Sequence, residues 1–183
     1  MDLKKNIALC GIKHAGKTSV GRALAHLLGA GFIDTDDAIL SHAAEQCCAE
    51  PSVRGLYRRL GEEAFRRLEA ETVRTEALRT PPRVLALGGG ALSNPFLTTE
   101  DKASLGLICF IDADDRTAFD RILREGLPPF LQSESDPFAA FCAQNEKRRK
   151  VFESESHIRI RPGTESPEET ALEILNLCRE KIL

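Results

Sequence analysis

Apolar positions in this chain fall into two patterns, short unbroken runs and ridges at helical spacing. Ile7-Ala8-Leu9-Cys10, Val84-Leu85-Ala86-Leu87 and Leu107-Ile108-Cys109-Phe110-Ile111 are unbroken, as parallel strands covered on both faces require. Val20, Ala23, Leu24, Leu27 and Leu28 recur at helical spacing, and so do Phe65, Leu68, Thr72 and Val73 in a pattern from Gly61 to about Leu78. Gly29-Ala30-Gly31 closes the first helix and leads into a short strand at Phe32-Ile33, which ends at Asp34-Thr35-Asp36-Asp37. Carboxylates at the carboxyl end of a strand face a ligand in open α/β sheets; equally, Asp36 or Asp37 caps a helix beginning at Ala38. Spacing alone leaves both readings open. Across residues 41–60 the pattern predicts two short helices broken at Pro51, with Arg54, Arg58 and Arg59 on a solvated face.

Beyond Pro81-Pro82 the same logic predicts a helix carrying Phe119, Ile122 and Leu123 and another from about Pro137 to Glu153. His157 to Arg161 alternates as an edge strand. A last helix opens at Ser166-Pro167-Glu168-Glu169 and buries Leu172, Leu175 and Cys178. The Pro-rich polar stretch Gly126 to Asp136 reads as a surface segment suited to a lid.

Candidate chemistry concentrates where runs meet glycine. Gly11-Ile12-Lys13-His14-Ala15-Gly16-Lys17-Thr18 is a G-x-x-x-x-G-K-[ST] phosphate-binding loop between the first strand and the first helix. Its glycines let backbone N–H groups converge on phosphate, Lys17 brings a cation to the β/γ phosphates and Thr18 a hydroxyl to Mg²⁺. Gly88-Gly89-Gly90 directly follows another strand and predicts a close approach to ligand, despite the conformational entropy such a run loses on folding. In the long helix Arg66 stands between Glu62 and Glu69, at spacings that hold a guanidinium in one direction.

Composition narrows the setting. The chain has 183 residues, 42% of them hydrophobic and 29% charged, in the range of one globular domain. A net charge of −3 provides no global field for nucleic acid or an anionic membrane, so an anion site must be built locally. Six cysteines contain no C-x-x-C pair and read as reduced thiols in the cytosol. No run of apolar residues is long enough for a membrane span or a signal peptide. Zinc is disfavoured, since no His or Cys stands at ligand spacing around Cys47-Cys48.

The phosphate loop, Phe32-Ile33-Asp34-Thr35-Asp36, Gly61-Glu62-Glu63-Ala64-Phe65-Arg66-Arg67-Leu68-Glu69, Leu87-Gly88-Gly89-Gly90 and the late Arg148 follow one another in an order that resembles the shikimate kinase family over nearly the whole chain. The resemblance implies an α/β fold: three α/β/α layers with a five-stranded parallel sheet, of the P-loop nucleoside-monophosphate-kinase type. It implies one domain over residues 1–183, with acceptor-binding helices at about 36–80 and a lid at about 124–137. The implied reaction moves the γ-phosphoryl group of ATP, with Mg²⁺, to the 3-hydroxyl of shikimate in aromatic amino-acid biosynthesis, by a cytoplasmic monomer. Carried over by matching position, Gly11, His14, Ala15, Gly16, Lys17, Thr18 and Ser19 contact the nucleotide and Arg121 stacks on its base. Thr18 binds Mg²⁺ directly and Asp34 through water; Asp36 is the base for the attacking hydroxyl. Arg66 and Arg148 grip the substrate carboxylate, with Gly88, Gly89 and Gly90 lining the same pocket. Guanidinium pairs suit that task because their geometry matches a carboxylate.

Three positions depart from the family pattern. His14 stands where glycine is usual, Pro128 where the lid arginine falls, and Arg149-Lys150-Val151-Phe152 follows Arg148 where R-x-P-x-Y is common. Arg124, one helical turn before the lid, is the candidate replacement for its cation. Two other readings remain: a related gluconate-type kinase, and a nucleotide-binding regulatory protein that has lost catalysis.

Overall fold

The structure, a computed structural model, describes residues 3–127, 129–132 and 134–182. Strands β1 (Ile7–Cys10), β2 (Gly31–Asp34), β3 (Arg83–Ala86), β4 (Leu107–Ile111) and β5 (Ile158–Ile160) form one sheet in the order β2-β3-β1-β4-β5. Every pairing is parallel, and Ile7 of the central strand lies opposite Val84 on one side and Leu107 on the other. All residues of β1 are buried, which fits the unbroken apolar run and helices covering both faces. The chain runs from β1 out to the edge strand β2, returns to β3, then crosses β1 to reach β4. Connections therefore leave the carboxyl ends in opposite directions beside β1, and a crevice opens there.

Helices α1 (Lys17–Leu28) and α9 (Pro167–Ile182) pack against each other, and α8 (Pro137–Glu155) packs against β4. The main core gathers the strands with residues such as Leu24, Val73, Phe119, Phe141 and Ile174. A second, smaller core of Ile39, Ala43, Leu56, Phe65 and Leu68 joins α2 (Thr35–Glu45), α3 (Val53–Leu60) and α4 (Glu62–Leu78). It supports one wall of the crevice. The remaining helices are α5 (Thr99–Ser104), α6 (Asp115–Glu125) and the short α7 (Pro129–Gln132) inside the stretch expected to form a lid.

Two local expectations are corrected. Helix α2 begins at Thr35 and is capped by Asp34, whose carboxylate accepts from the Asp36 backbone N–H at 3.0 Å, so neither Asp36 nor Asp37 is the cap. In α9 the buried stripe is Ala171, Ile174, Leu175 and Cys178, and Leu172, one residue out of that phase, is 49% exposed. None of the six cysteines is in a disulfide. Among the described residues no helix is long and apolar enough to cross a membrane.

Candidate active site

The phosphate loop wraps the carboxyl end of β1 before entering α1. Gly11 admits no side chain: a Cβ there would stand 2.5 Å from the carbonyl oxygen of Ile111. Gly16 (φ 92°) and His14 (φ 60°) both lie in the left-handed region, which histidine tolerates better than most residues. The expected tolerance for His14 is met, and Arg121 fixes it by donating to its carbonyl oxygen at 2.8 Å. No side chain caps α1, so its first N–H groups are left for an anion. Lys17 Nζ donates to the carbonyls of Gly11 and Ile12, both at 3.0 Å. Burial lowers its pKa from the usual lysine value, against the fields of Asp36, Cys10 and Asp34. The same burial pushes the Cys10 thiol up to about 12, so this cysteine is an inert neutral packing group.

Thr18 Oγ1 donates to Asp34 Oδ2 at 2.7 Å, while the other Asp34 oxygen caps α2. One carboxylate thereby ties the phosphate loop to the first turn of α2, where Asp36 stands. Asp36 is open to solvent on the cleft side, yet the walls around it strip enough hydration to raise its pKa. Asp34 and Glu69 add to that rise; Lys17 and Lys13 oppose it.

Across the cleft the three consecutive glycines each make room for one functional group. A Cβ on Gly88 would stand 2.6 Å from Asp36 Oδ1, on Gly89 3.3 Å from Arg148 Nη1, and on Gly90 2.7 Å from Arg66 Nη1. None of the three has a positive φ. Space, rather than backbone freedom, is what glycine supplies here. The segment is also held in place, since the Gly88 N–H donates to Thr35 Oγ1 at 2.8 Å and a 3₁₀ turn at Ala91–Ser93 follows.

Arg66 is aimed by Glu69, at 2.7 Å and buried, and not by Glu62. Glu69 is in turn held by Asn94, whose Nδ2 donates to it at 2.8 Å and to the Arg66 carbonyl at 2.7 Å. Arg148 is half-buried and bonds to no described residue. Burial and the neighbouring Arg66 charge lower its pKa from the usual arginine value, with Glu69 opposing. Two guanidiniums converging on one void create a demand for an anion. The whole cleft has a volume of about 1520 Å³ and runs from the phosphate loop to α3.

The family model described as shikimate kinase matches residues 13–179. The shikimate kinase of Symbiobacterium thermophilum is 35% identical over 181 residues, covering 96% of this chain and 97% of its own. The chain belongs to the shikimate kinase family. Among solved structures, the shikimate kinase of Acinetobacter baumannii in complex with shikimate superposes with a TM-score of 0.84 at 27% identity, over 100% of this chain and 97% of the other. That of Bacteroides thetaiotaomicron gives 0.76 at 27% identity, over 96% and 98%. The three-layer arrangement with a five-stranded parallel sheet, implied by resemblance to shikimate kinases, is the one observed.

Measured against the expectations from the shikimate kinase pattern, His14, Ala15, Gly16, Lys17, Thr18, Ser19, Asp34, Asp36, Arg66, Gly88, Gly89, Gly90, Arg121 and Arg148 all line the one cleft. Gly11 is not part of the lining; its carbonyl receives the Lys17 ammonium. Arg124 does not line it: the residue is exposed on the last turn of α6, and the wall there comes from Arg121, Ile122, Gly126 and Leu127. As the replacement lid cation it is therefore unsupported. Pro128 lies outside the described residues. Arg54 and Arg58, read as part of a solvated face, line the cleft with Tyr57, while Arg59 points away to Glu50 at 3.3 Å. Helical phase separates them, since positions 54, 57 and 58 share a side opposite the buried Leu56. Asn94 was not legible as a site residue, because a lone Asn after a turn carries no spacing signal.

Proposed function

We propose that this chain transfers the γ-phosphoryl group of Mg²⁺-ATP to the 3-hydroxyl of shikimate. The observation that carries this reading is the pairing of Gly88, Gly89 and Gly90 with Asp36, Arg148 and Arg66, one residue each, beside the phosphate loop. It sets a base, a carboxylate clamp and a phosphate cradle around one void. Arg66 and Arg148 bind the carboxylate of the acid and turn its ring so that one hydroxyl faces Asp36. Asp36 accepts the hydroxyl proton, and the rise in its pKa makes it a better acceptor than an ordinary aspartate. The loop N–H groups and Lys17 hold the β and γ phosphates, and Arg121 closes the nucleotide end.

Thr18 and Asp34 set two oxygens 2.7 Å apart at the helix start, hard donors that would hold Mg²⁺, Thr18 directly and Asp34 through water. No cluster of three or more His, Cys, Asp or Glu exists among the described residues, in keeping with an ion that arrives with the nucleotide. Bound there, Mg²⁺ supplies charge neutralisation to the transferring group. The residues at about 36–80 form the acceptor wall and those at about 124–137, of which 128 and 133 lie outside the described residues, the lid of a single cytoplasmic, monomeric domain.

ADP release followed with Mg²⁺-ATP and shikimate, gluconate or no acceptor tests the reading. Release that depends on shikimate and gives the 3-phosphate is expected. Equal release without acceptor, preference for gluconate, or none with any acceptor overturns it.

A further inference from the structure

The two acceptor arginines are not held alike, and the difference singles out a residue with no assigned role. Arg66 has Glu69 on its own helix to aim it. Arg148 has no partner among the described residues, so its direction depends on how α8 is rotated and seated. The buried residues of α8 are Phe141, Asn145 and Phe152, which leaves the two fully buried aromatics near its ends and no apolar anchor at its middle. The middle is fixed by polar contacts instead. Arg149 spends all three guanidinium nitrogens there: Nε donates to Asp112 Oδ1 at 3.0 Å, Nη1 to Asp115 Oδ2 at 2.7 Å and Nη2 to the Ala113 carbonyl at 2.9 Å. One turn earlier, fully buried Asn145 donates to Asp115 Oδ1 at 2.8 Å. Positions 145 and 149 form one stripe against the turn between β4 and α6, and position 148 is rotated about 100° away. With that stripe pinned, Arg148 faces Gly89 and the cleft.

We propose that Arg149 is the positioning residue for Arg148, locking the rotation of α8 so that the Arg148 guanidinium is already aimed when the acceptor's carboxylate arrives. This inference rests on the proposed reading of the acceptor site. The lock is anchored in a buried node. Asp112 also receives Arg159 at 2.6 Å and Arg161 at 2.8 Å from β5 and the residue after it. Burial alone would raise the Asp112 pKa, but the hydrogen bonds from Arg159, Arg161 and Arg149 outweigh it and hold the carboxyl below its usual value. The carboxylate thus stays charged and paired even without Arg149, so a variant at position 149 is expected to fold. The lock replaces conformational searching by Arg148 with a pre-set direction, the form in which supporting contacts add to affinity.

The test is a double-mutant cycle on Arg149→Met and Arg148→Ala, with Asp115→Asn as a second way to loosen the lock. Each variant is assayed for kcat and for the KM of each substrate, with Tm as a check on folding. Arg149→Met is expected to raise the shikimate KM about tenfold with ATP KM within about twofold, matching the loss of one pre-aligned interaction. Asp115→Asn moves it the same way by less. In the Arg148→Ala background, Arg149→Met adds less than about twofold, since it acts through the missing residue. Additive effects in the double variant, or an ATP KM that rises as much as the shikimate KM, overturn the positioning role while leaving the kinase reading intact. A wild-type chain without shikimate turnover overturns both.

Discussion

At the nucleotide end of the cleft most functional groups come from one run of chain, Gly11 to Ser19, joined by Asp34 and Arg121, whereas at the acceptor end Asp36, Arg66, Gly88 to Gly90 and Arg148 come from four separate segments. The first end is made largely of backbone: loop N–H groups, a helix start without a side-chain cap, and Lys17 resting on loop carbonyls. The second is made of side chains whose direction depends on neighbours, Glu69 and Asn94 for Arg66 and the Arg149 node for Arg148. A backbone site tolerates a change of residue wherever the φ angle survives, as His14 does. A side-chain site fails when any orienting partner is lost. The largest effects of substitution are therefore expected at the acceptor end and the smallest inside the loop's variable positions.

Asp36 stands where the two ends meet, and Asp36→Asn is the sharpest probe. Turnover is expected to fall by about 10²–10⁴-fold, the usual contribution of a positioned base. The pH profile carries further information. Because the Asp36 pKa is raised in the folded protein, activity is lost as pH falls through a value above the ordinary carboxylate range, and that acid limb disappears in the Asn variant. Stability moves the other way. A carboxyl whose folded pKa exceeds its unfolded one destabilises the fold at pH values above both, so Asp36→Asn is expected to raise Tm near neutral pH. An unchanged acid limb in the variant would show that another group accepts the proton.

The two clamp arginines come next. Arg66→Ala and Arg148→Ala are each expected to lower kcat/KM for shikimate about 10²-fold, within the roughly 2–5 kcal/mol lost on truncating one side of a desolvated charge pair. Their effects on stability separate them. Arg66→Ala leaves Glu69 buried without its cation, so Tm falls. Arg148→Ala removes a cation that bonds to no described residue and that burial and the Arg66 charge disfavour more than Glu69 favours it, so Tm holds or rises. Equal Tm losses in both would mean that Arg148 is as firmly built into the resting fold as Arg66.

Much of this was legible in the sequence alone. The phosphate loop was, because its chemistry is contiguous and its spacing is dictated by one turn. Arg66 was too, since its partner lies three residues away on the same helix, although spacing gives Glu62 an equal part that the structure denies it. The glycine run reads as a close approach to a ligand, whereas the approach the structure shows is to side chains, each glycine paired with one from a different element. Tertiary partners leave no periodic trace. That is why Asn94, the seating of α8 by Arg149, and the place of Arg54 and Arg58 along the cleft leave no mark in the sequence, and why spacing offers Arg124 for a cleft whose described lining does not include it. Charge-rich runs such as Lys147 to Lys150 contain one residue for the site, one for the scaffold and two for solvent, and only the rotation of the helix tells them apart.

The smallest effect is expected at His14, where the backbone reading is most exposed to test. Its φ of 60° is shared with glycine-like loop positions, and its carbonyl, not its side chain, is what Arg121 grips at 2.8 Å. His14→Gly should relieve the backbone but enlarge the freedom of the unfolded chain, two terms of about 0.5–1 kcal/mol each that nearly cancel. Tm and ATP KM are expected to stay close to the parent. His14→Val instead places a β-branched side chain at positive φ and should cost about 1–2 kcal/mol, read as a lower Tm together with a higher ATP KM. The ordering Gly ≈ His above Val is what a backbone-built site requires. A His14→Gly variant that loses nucleotide affinity while keeping its Tm would instead make the imidazole itself a nucleotide contact, and the nucleotide end would no longer differ in kind from the acceptor end.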